Sequence, residues 1–227
     1  MTNDPKILGL AFIAGVVPSL FWLWFWLKED QKNPEPKTAL GAVFLMGVLS
    51  VALVIPVQKF IQTHIGTLEW QLFFWATAEE IIKYCAVMLV IYKTNLADEP
   101  VDWPIYMITG ALGFAAIENA LFMIKPFSAG AAAVGLLTGQ LRFLGATLLH
   151  TVTSGLVGIA LGISTHLRGF RKNWYLFSGI LLAIFLHSVF NFFIIRNDGG
   201  DIFTVFAFLW VVAIIVMLLF EKVRRMN

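Results

Sequence analysis

Apolar stretches of about twenty residues, the length a helix needs to cross a bilayer, recur along the whole chain and are separated by short polar loops. The pattern predicts membrane helices at Ile7–Leu27, Leu40–Val57, Trp70–Tyr92, Trp103–Ile124, Arg142–Ser164, Trp174–Ile195 and Ile202–Phe220. The Gly- and Ala-rich piece Ser128–Gln140 is too short to span comfortably, and reads as a half-helix, a re-entrant segment or a tilted eighth span. The expected fold is therefore all-α, a polytopic transmembrane helical bundle of seven to eight membrane segments, in one integral membrane domain over residues 1–227. Trp22, Trp24, Trp26, Trp70, Trp103 and Trp174 cluster at span ends, where tryptophan anchors helices at the membrane interface. Lys28–Lys37, the most polar stretch, reads as a solvated linker. Met1–Lys6 leads into a first helix that is retained, because no small-residue cleavage site follows it.

A few polar residues break the apolar pattern from within: Glu79-Glu80 with Lys83, Glu118-Asn119, His150, and His187 with Asn191. An Asp, Lys or Arg at the centre of a membrane helix costs roughly 2.5–3.5 kcal/mol on insertion scales. Residues kept there at such a cost face a bundle interior or a water-filled cavity, and they mark function. Composition agrees with a membrane setting. The 227 residues are 59% hydrophobic and 13% charged, against about 25% charged in a soluble domain. A net charge of +2 gives no reason to expect nucleic acid as a partner, and the single cysteine, Cys85, excludes a disulfide framework.

The basic residues orient the spans. With seven crossings, Lys28, Lys32, Lys37, Lys93, Arg168, Arg171, Lys172, Lys222, Arg224 and Arg225 share one side. Lys6, Lys59, Lys125, Arg142 and Arg196 share the other, so the N-terminus lies outside and the C-terminus inside. An eighth crossing weakens this bias and puts both termini inside. In the seven-span arrangement Glu79, Glu118, His150 and His187 all fall roughly 10–14 Å below the outer surface, at 1.5 Å per helical residue. Convergence at one depth is what an active site requires.

Glu79 and Lys83 are four residues apart and share a helix face, with Glu80 about 100° round, so Lys83 can pair with either glutamate. The carboxylate left over, in a low-dielectric site, suits general acid–base work. Glu118 is a second carboxylate of the site or a partner for a histidine. Gly110, Ala111, Gly113, Ala115 and Ala116 before it let another helix approach closely. His187 and Asn191 share a face and can polarise a carbonyl or position water. Arg142 lies about two turns before His150 and is either part of the site or a snorkelling boundary residue. His64 and His166 fall in loops. Ser154 lacks the Gly-x-Ser-x-Gly setting of a serine nucleophile. Glu and His are zinc ligands, but there is no His-Glu-x-x-His. Zinc is thus a possible cofactor, and none is certain from spacing.

Glu79-Glu80-x-x-Lys83, Phe114-x-x-x-Glu118-Asn119, an isolated His150 and His187-x-x-x-Asn191 follow one another on successive helices. In this order they resemble the PrsW family of bacterial intramembrane proteases, grouped with the CAAX-type prenyl endopeptidase and Abi superfamily. The resemblance runs from about Gln71 to Phe192. The wider superfamily has Glu-Glu-x-x-x-Arg and Phe-x-x-x-His, whereas here Lys83 replaces the arginine and Glu118 the histidine, as in the PrsW branch. The resemblance implies a multi-pass peptidase of the bacterial cytoplasmic membrane that cuts a membrane-tethered substrate of the anti-sigma-factor type on the extracytoplasmic side. Glu79 and Glu80 would activate water, His150 would serve as acid/base or ligand, and His187 and Asn191 would stabilise the oxyanion. The competing readings are a proton-coupled carrier, disfavoured because no internal repeat is found, and a non-catalytic membrane scaffold.

Overall fold

The computed structural model describes residues 4–28, 33–92, 94–196 and 202–226. Among these, eight helices and no strand are found: α1 (Pro5–Leu27), α2 (Lys37–His64), α3 (Leu68–Ile91), α4 (Asp102–Ser128), α5 (Ala132–Leu144), α6 (Ala146–Ile163), α7 (Phe170–Arg196) and α8 (Ile202–Arg224). The expected all-helical membrane bundle is what forms. Counting Ala132–Ile163 as one stretch, six helices are long and apolar enough to cross a membrane. The seventh, α3, has 24 residues but carries Glu79, Glu80 and Lys83 in its middle.

The ambiguous Gly/Ala-rich segment becomes α5, a half-helix that a break at Gly145 separates from α6. Together the two run antiparallel to the full length of α4. A Cβ on Gly135 would meet Phe127, and one on Gly139 would meet Met123. Further on, Thr147 bonds Asn119, Gly155 abuts Ile108, and Gly158 abuts Pro104. Each step forward along α5–α6 is matched by a step back along α4, so α5 and α6 make one interrupted crossing. The expected span at Arg142–Ser164 is corrected accordingly: Arg142 belongs to α5, before the break.

α4 is the central post, with α1, α2, α3, α5 and α6 all packed on it. Its small residues allow this, as the spacing predicts. Added Cβ atoms would meet opposing backbone at 2.0 Å for Gly47 against Gly110 O, 2.0 Å for Gly113 against Phe44 O, and 2.4 Å for Gly15 against Ala116 O. In lipid there is little hydrophobic drive between helices, so such close approach supplies the dispersion contact that holds the bundle.

Three expectations change with tertiary packing. Trp22 and Trp26 are buried, not interfacial: Trp22 donates to the Phe143 carbonyl and Trp26 packs on Phe220, while Trp24, Trp70 and Trp174 are exposed as anchors should be. Part of the Lys28–Lys37 linker lies outside the described residues, but Glu35 is buried and accepts a hydrogen bond from Tyr106 of α4. α2 continues past Val57 to His64, so His64 is an exposed last helical residue, not a loop residue.

Gly113→Val is expected to destabilise the bundle by about 1–3 kcal/mol or more, the range for overpacking, with backbone as the obstacle. Gly41→Ala, inside α2 where an added Cβ meets nothing within 4 Å, should unfold in detergent at no lower denaturant concentration than wild type, alanine being the better helix former.

Candidate active site

Helices α3, α4, α6 and α7 deliver the intramembrane polar residues to one place, with α2 and α5 closing it from the sides. On α3 the choice left open by spacing is resolved: Lys83 Nζ pairs with Glu80 Oε1 at 2.6 Å, one turn back. The same oxygen accepts from Thr153 of α6 at 3.0 Å and from His187 Nδ1 of α7 at 2.7 Å. Ser154 donates to the other oxygen at 3.4 Å. Both oxygens of Glu80 are thus engaged, and Ser154 acts as a donor to a carboxylate.

Lys83 also donates to His150 Nδ1 at 3.2 Å. An ammonium only donates, so Nδ1 accepts and the proton of neutral His150 sits on Nε2. That nitrogen donates to Glu118 Oε2 at 3.0 Å. Glu118 is therefore the histidine partner that the sequence offered as one alternative. Arg142 is no snorkelling residue. It reaches Glu118 Oε2 at 2.5 Å and Asn119 Oδ1 at 2.6 Å, over the Phe122 ring at 4.0 Å. Asn119 in turn donates to Thr147 at 2.8 Å.

Glu79 is arranged differently. Its Oε1 accepts from Gln58 Nε2 of α2 at 2.7 Å. Its Oε2 is buried without a hydrogen-bond partner and lies 3.5 Å from His187 Nε2. The Nδ1–H of His187 is committed to Glu80, so in the neutral ring Nε2 presents a lone pair on the Glu79 side. Three carboxylates thus face two cations: Glu80 has Lys83, Glu118 has Arg142, and Glu79 has neither.

Glu79, Glu118, Arg142, His150, His187 and Asn191 all line a cavity of about 700 Å³. The rest of its wall is largely apolar, including Val54, Trp75, Phe114, Phe190 and Phe206. It extends to Gln62 near the end of α2, Leu72 near the start of α3, Ile195 at the end of α7 and Ile202 at the start of α8. Those helix ends share one side of a seven-crossing bundle, the side that the basic-residue count puts outside. The six residues expected at the site thus meet here, Glu79, Glu80, Glu118, His150 and His187 through direct contacts and Asn191 through the cavity wall. Gln58 and Thr153 were not anticipated. Gln58 falls just past the predicted end of the second span; the signal that the helix continues is the apolar pair Phe60-Ile61 one turn on.

A buried carboxylate thus lies close to two histidines on the wall of a cavity in a membrane-spanning bundle. A family model described as PrsW family intramembrane metalloprotease matches residues 35–219. The protein is similar to Protease PrsW of Geobacillus kaustophilus, 27% identical over 188 residues that cover 82% of this chain and 80% of that one. It is also similar to Protease PrsW of Oceanobacillus iheyensis, 29% identical over 210 residues covering 88% and 91% of the two chains. With the Bacillus subtilis protein of that name it shares 28% identity over 114 residues, 49% of this chain and 52% of that one. No solved structure matches. The chain belongs to the PrsW family of intramembrane proteases; it is a peptidase and a multi-pass bacterial membrane protein.

Lys83→Met is expected to cost about 3–5 kcal/mol, because it strands Glu80 as a buried charge without its cation. Glu79→Gln removes a buried carboxylate that has no cation and should not destabilise the protein. Unfolding of both variants in mixed micelles checks the contrast; equal effects would mean that Glu80 does not depend on Lys83.

Proposed function

We propose that the protein is an endopeptidase that hydrolyses a peptide bond of a membrane-tethered protein, entering from the extracytoplasmic side, with Glu79 as the central reactive group. The observation that carries this reading is the Oε2 of Glu79, buried beside His187 Nε2 without a hydrogen-bond partner, on a residue that lines the cavity. Glu79 Oε2 takes a proton from water, whose oxygen attacks the scissile carbonyl carbon; the C–N bond then breaks and the proton passes to the departing amine. Asn191 and Arg142 line the same cavity and supply donors for the oxyanion. Glu80 holds His187 in one tautomer, and Glu118 does the same for His150. The anti-sigma-factor type of substrate, and the wider kinship with prenyl endopeptidases, rest on the order of the four motifs.

A divalent cation fits this site. One ligand atom each from Glu79, His150 and His187 lie within 4.8 Å of one another, and Glu79 is the carboxylate that no cation balances. These three residues would hold the ion, His150 by giving up one of its two bonds. Zinc in a His/His/Glu set supplies Lewis acidity, polarising a carbonyl and acidifying water. With Glu79 as a ligand, Glu118 is the other carboxylate in the cavity wall and is left to move the proton.

Two experiments test the reading. Membranes from cells making wild type or Glu79→Gln at equal levels are compared for protein N-termini by mass spectrometry. New N-termini in juxtamembrane segments of single-span proteins are expected with wild type only, at a rate about 10²–10⁴-fold above the variant; the same N-termini with both would remove Glu79 from the reaction. Treating purified protein with a chelator should abolish cleavage, and Zn²⁺ should restore it, if the three-residue set holds an ion. Cleavage that survives the chelator assigns the chemistry to Glu79 as a base.

A further inference from the structure

Gln58 enters the site from α2, a helix that contributes no other polar contact to the Glu79, Glu80 and Glu118 cluster among the described residues. It is half-buried and lines the cavity. Two bonds tie it to α3: its carboxamide Nε2 donates to Glu79 Oε1 at 2.7 Å, and its backbone carbonyl accepts from Trp75 Nε1 at 3.0 Å. Trp75 and Glu79 are four residues apart on one face of α3, so Gln58 spans one turn of that face. The side-chain bond is the one hydrogen bond that the Glu79 carboxylate makes among the described residues.

We infer that Gln58 is the positioning residue of the reaction, holding Oε1 of Glu79 so that Oε2 is the oxygen presented to His187. A carboxylate tied at neither oxygen swings about its terminal torsion, which is broad and two-fold, and offers either oxygen at a variable angle. A single donor on Oε1 removes that freedom. The donor's chemistry suits the task. A lysine or arginine here would neutralise Glu79, as Lys83 and Arg142 do for Glu80 and Glu118, and a carboxylate would repel it. A carboxamide orients without altering the charge count, and so leaves Glu79 able to take a proton or hold a cation. Partners of this kind behind a reactive carboxylate or metal ligand are typically worth 10–100-fold in affinity or activity. The inference rests on the role proposed above for Glu79.

The test uses the full chain purified in detergent. Gln58→Met keeps the side chain's length but removes the donor, and Gln58→Asn keeps the donor one methylene short. Fluorescein-labelled β-casein, an unstructured chain that needs no opening before cleavage, reports turnover; Zn²⁺ alone, titrated into chelator-stripped protein, reports the site without turnover. Gln58→Met is expected to lower kcat 10–100-fold with KM within twofold and to weaken Zn²⁺ binding by a similar factor, with Gln58→Asn between it and wild type. Gln58→Met with wild-type kcat and wild-type Zn²⁺ affinity would overturn the assignment, as would a raised KM at unchanged kcat, which makes Gln58 a substrate contact. If Gln58→Met does not fold, Gln58→Asn alone decides: wild-type values in both readouts overturn the inference. Glu79→Gln is run alongside. If it cuts casein and binds Zn²⁺ as wild type does, the role of Glu79 itself has failed; if it is inactive while Gln58→Met is normal, only the positioning role has.

Discussion

The Glu80 carboxylate is the point on which the arrangement depends. A charged side chain of α3, sunk in a bundle that lipid surrounds, is tolerable only if protein supplies what water would have. Lys83 from its own helix, Thr153 and Ser154 from α6 and the imidazole of His187 from α7 do so. Three helices are thereby registered against one another to within a hydrogen bond. Sliding any of them by a residue would leave a buried charge without partners, at a cost of several kcal/mol. The same contacts fix the ring of His187, so the structural anchor and the preparation of the reactive residues are one network.

A second anchor mirrors the first. Arg142, near the end of the half-helix α5, holds Glu118 and Asn119 of α4, and Glu118 holds His150 of α6. The break at Gly145 matters here. A continuous helix from Ala132 to Ile163 would keep Arg142 and His150 two turns apart along one rod; as two pieces they reach the same carboxylate. Backbone-to-backbone packing of α4 on α1, α2 and α6 brings these side chains within reach, and only small residues at the crossings allow it. Stability of the bundle and chemistry of the site therefore draw on the same few positions.

Much of this was legible in the chain. Apolar length marked the crossings, and the cost of burying charge singled out Glu79, Glu80, Lys83, Glu118, His150 and His187; the common depth of Glu79, Glu118, His150 and His187 agrees with their meeting in one cavity. Errors fell where local pattern carries no information about neighbours. Trp22 and Trp26 lie at a span end, as interfacial tryptophans do, yet another helix covers them. Glu35 sits in a polar run, as solvated residues do, yet Tyr106 receives it. Gln58 lay beyond the predicted end of its span because Pro56 and the polar residues after Val57 imitate a helix terminus.

The sequence by itself determined the class of fold, the set of groups available for chemistry and their depth, because hydropathy and helical rise act along one chain and need no partner. It could not determine which glutamate is reactive. Lys83 stands three residues from Glu80 and four from Glu79, and both spacings allow an ion pair. That choice is made by α6 and α7, whose Thr153, Ser154 and His187 converge on Glu80, and by α2, whose Gln58 takes one oxygen of Glu79 and leaves the other free. Rotation of one helix against the next sets such contacts, and that rotation exists only in the folded bundle.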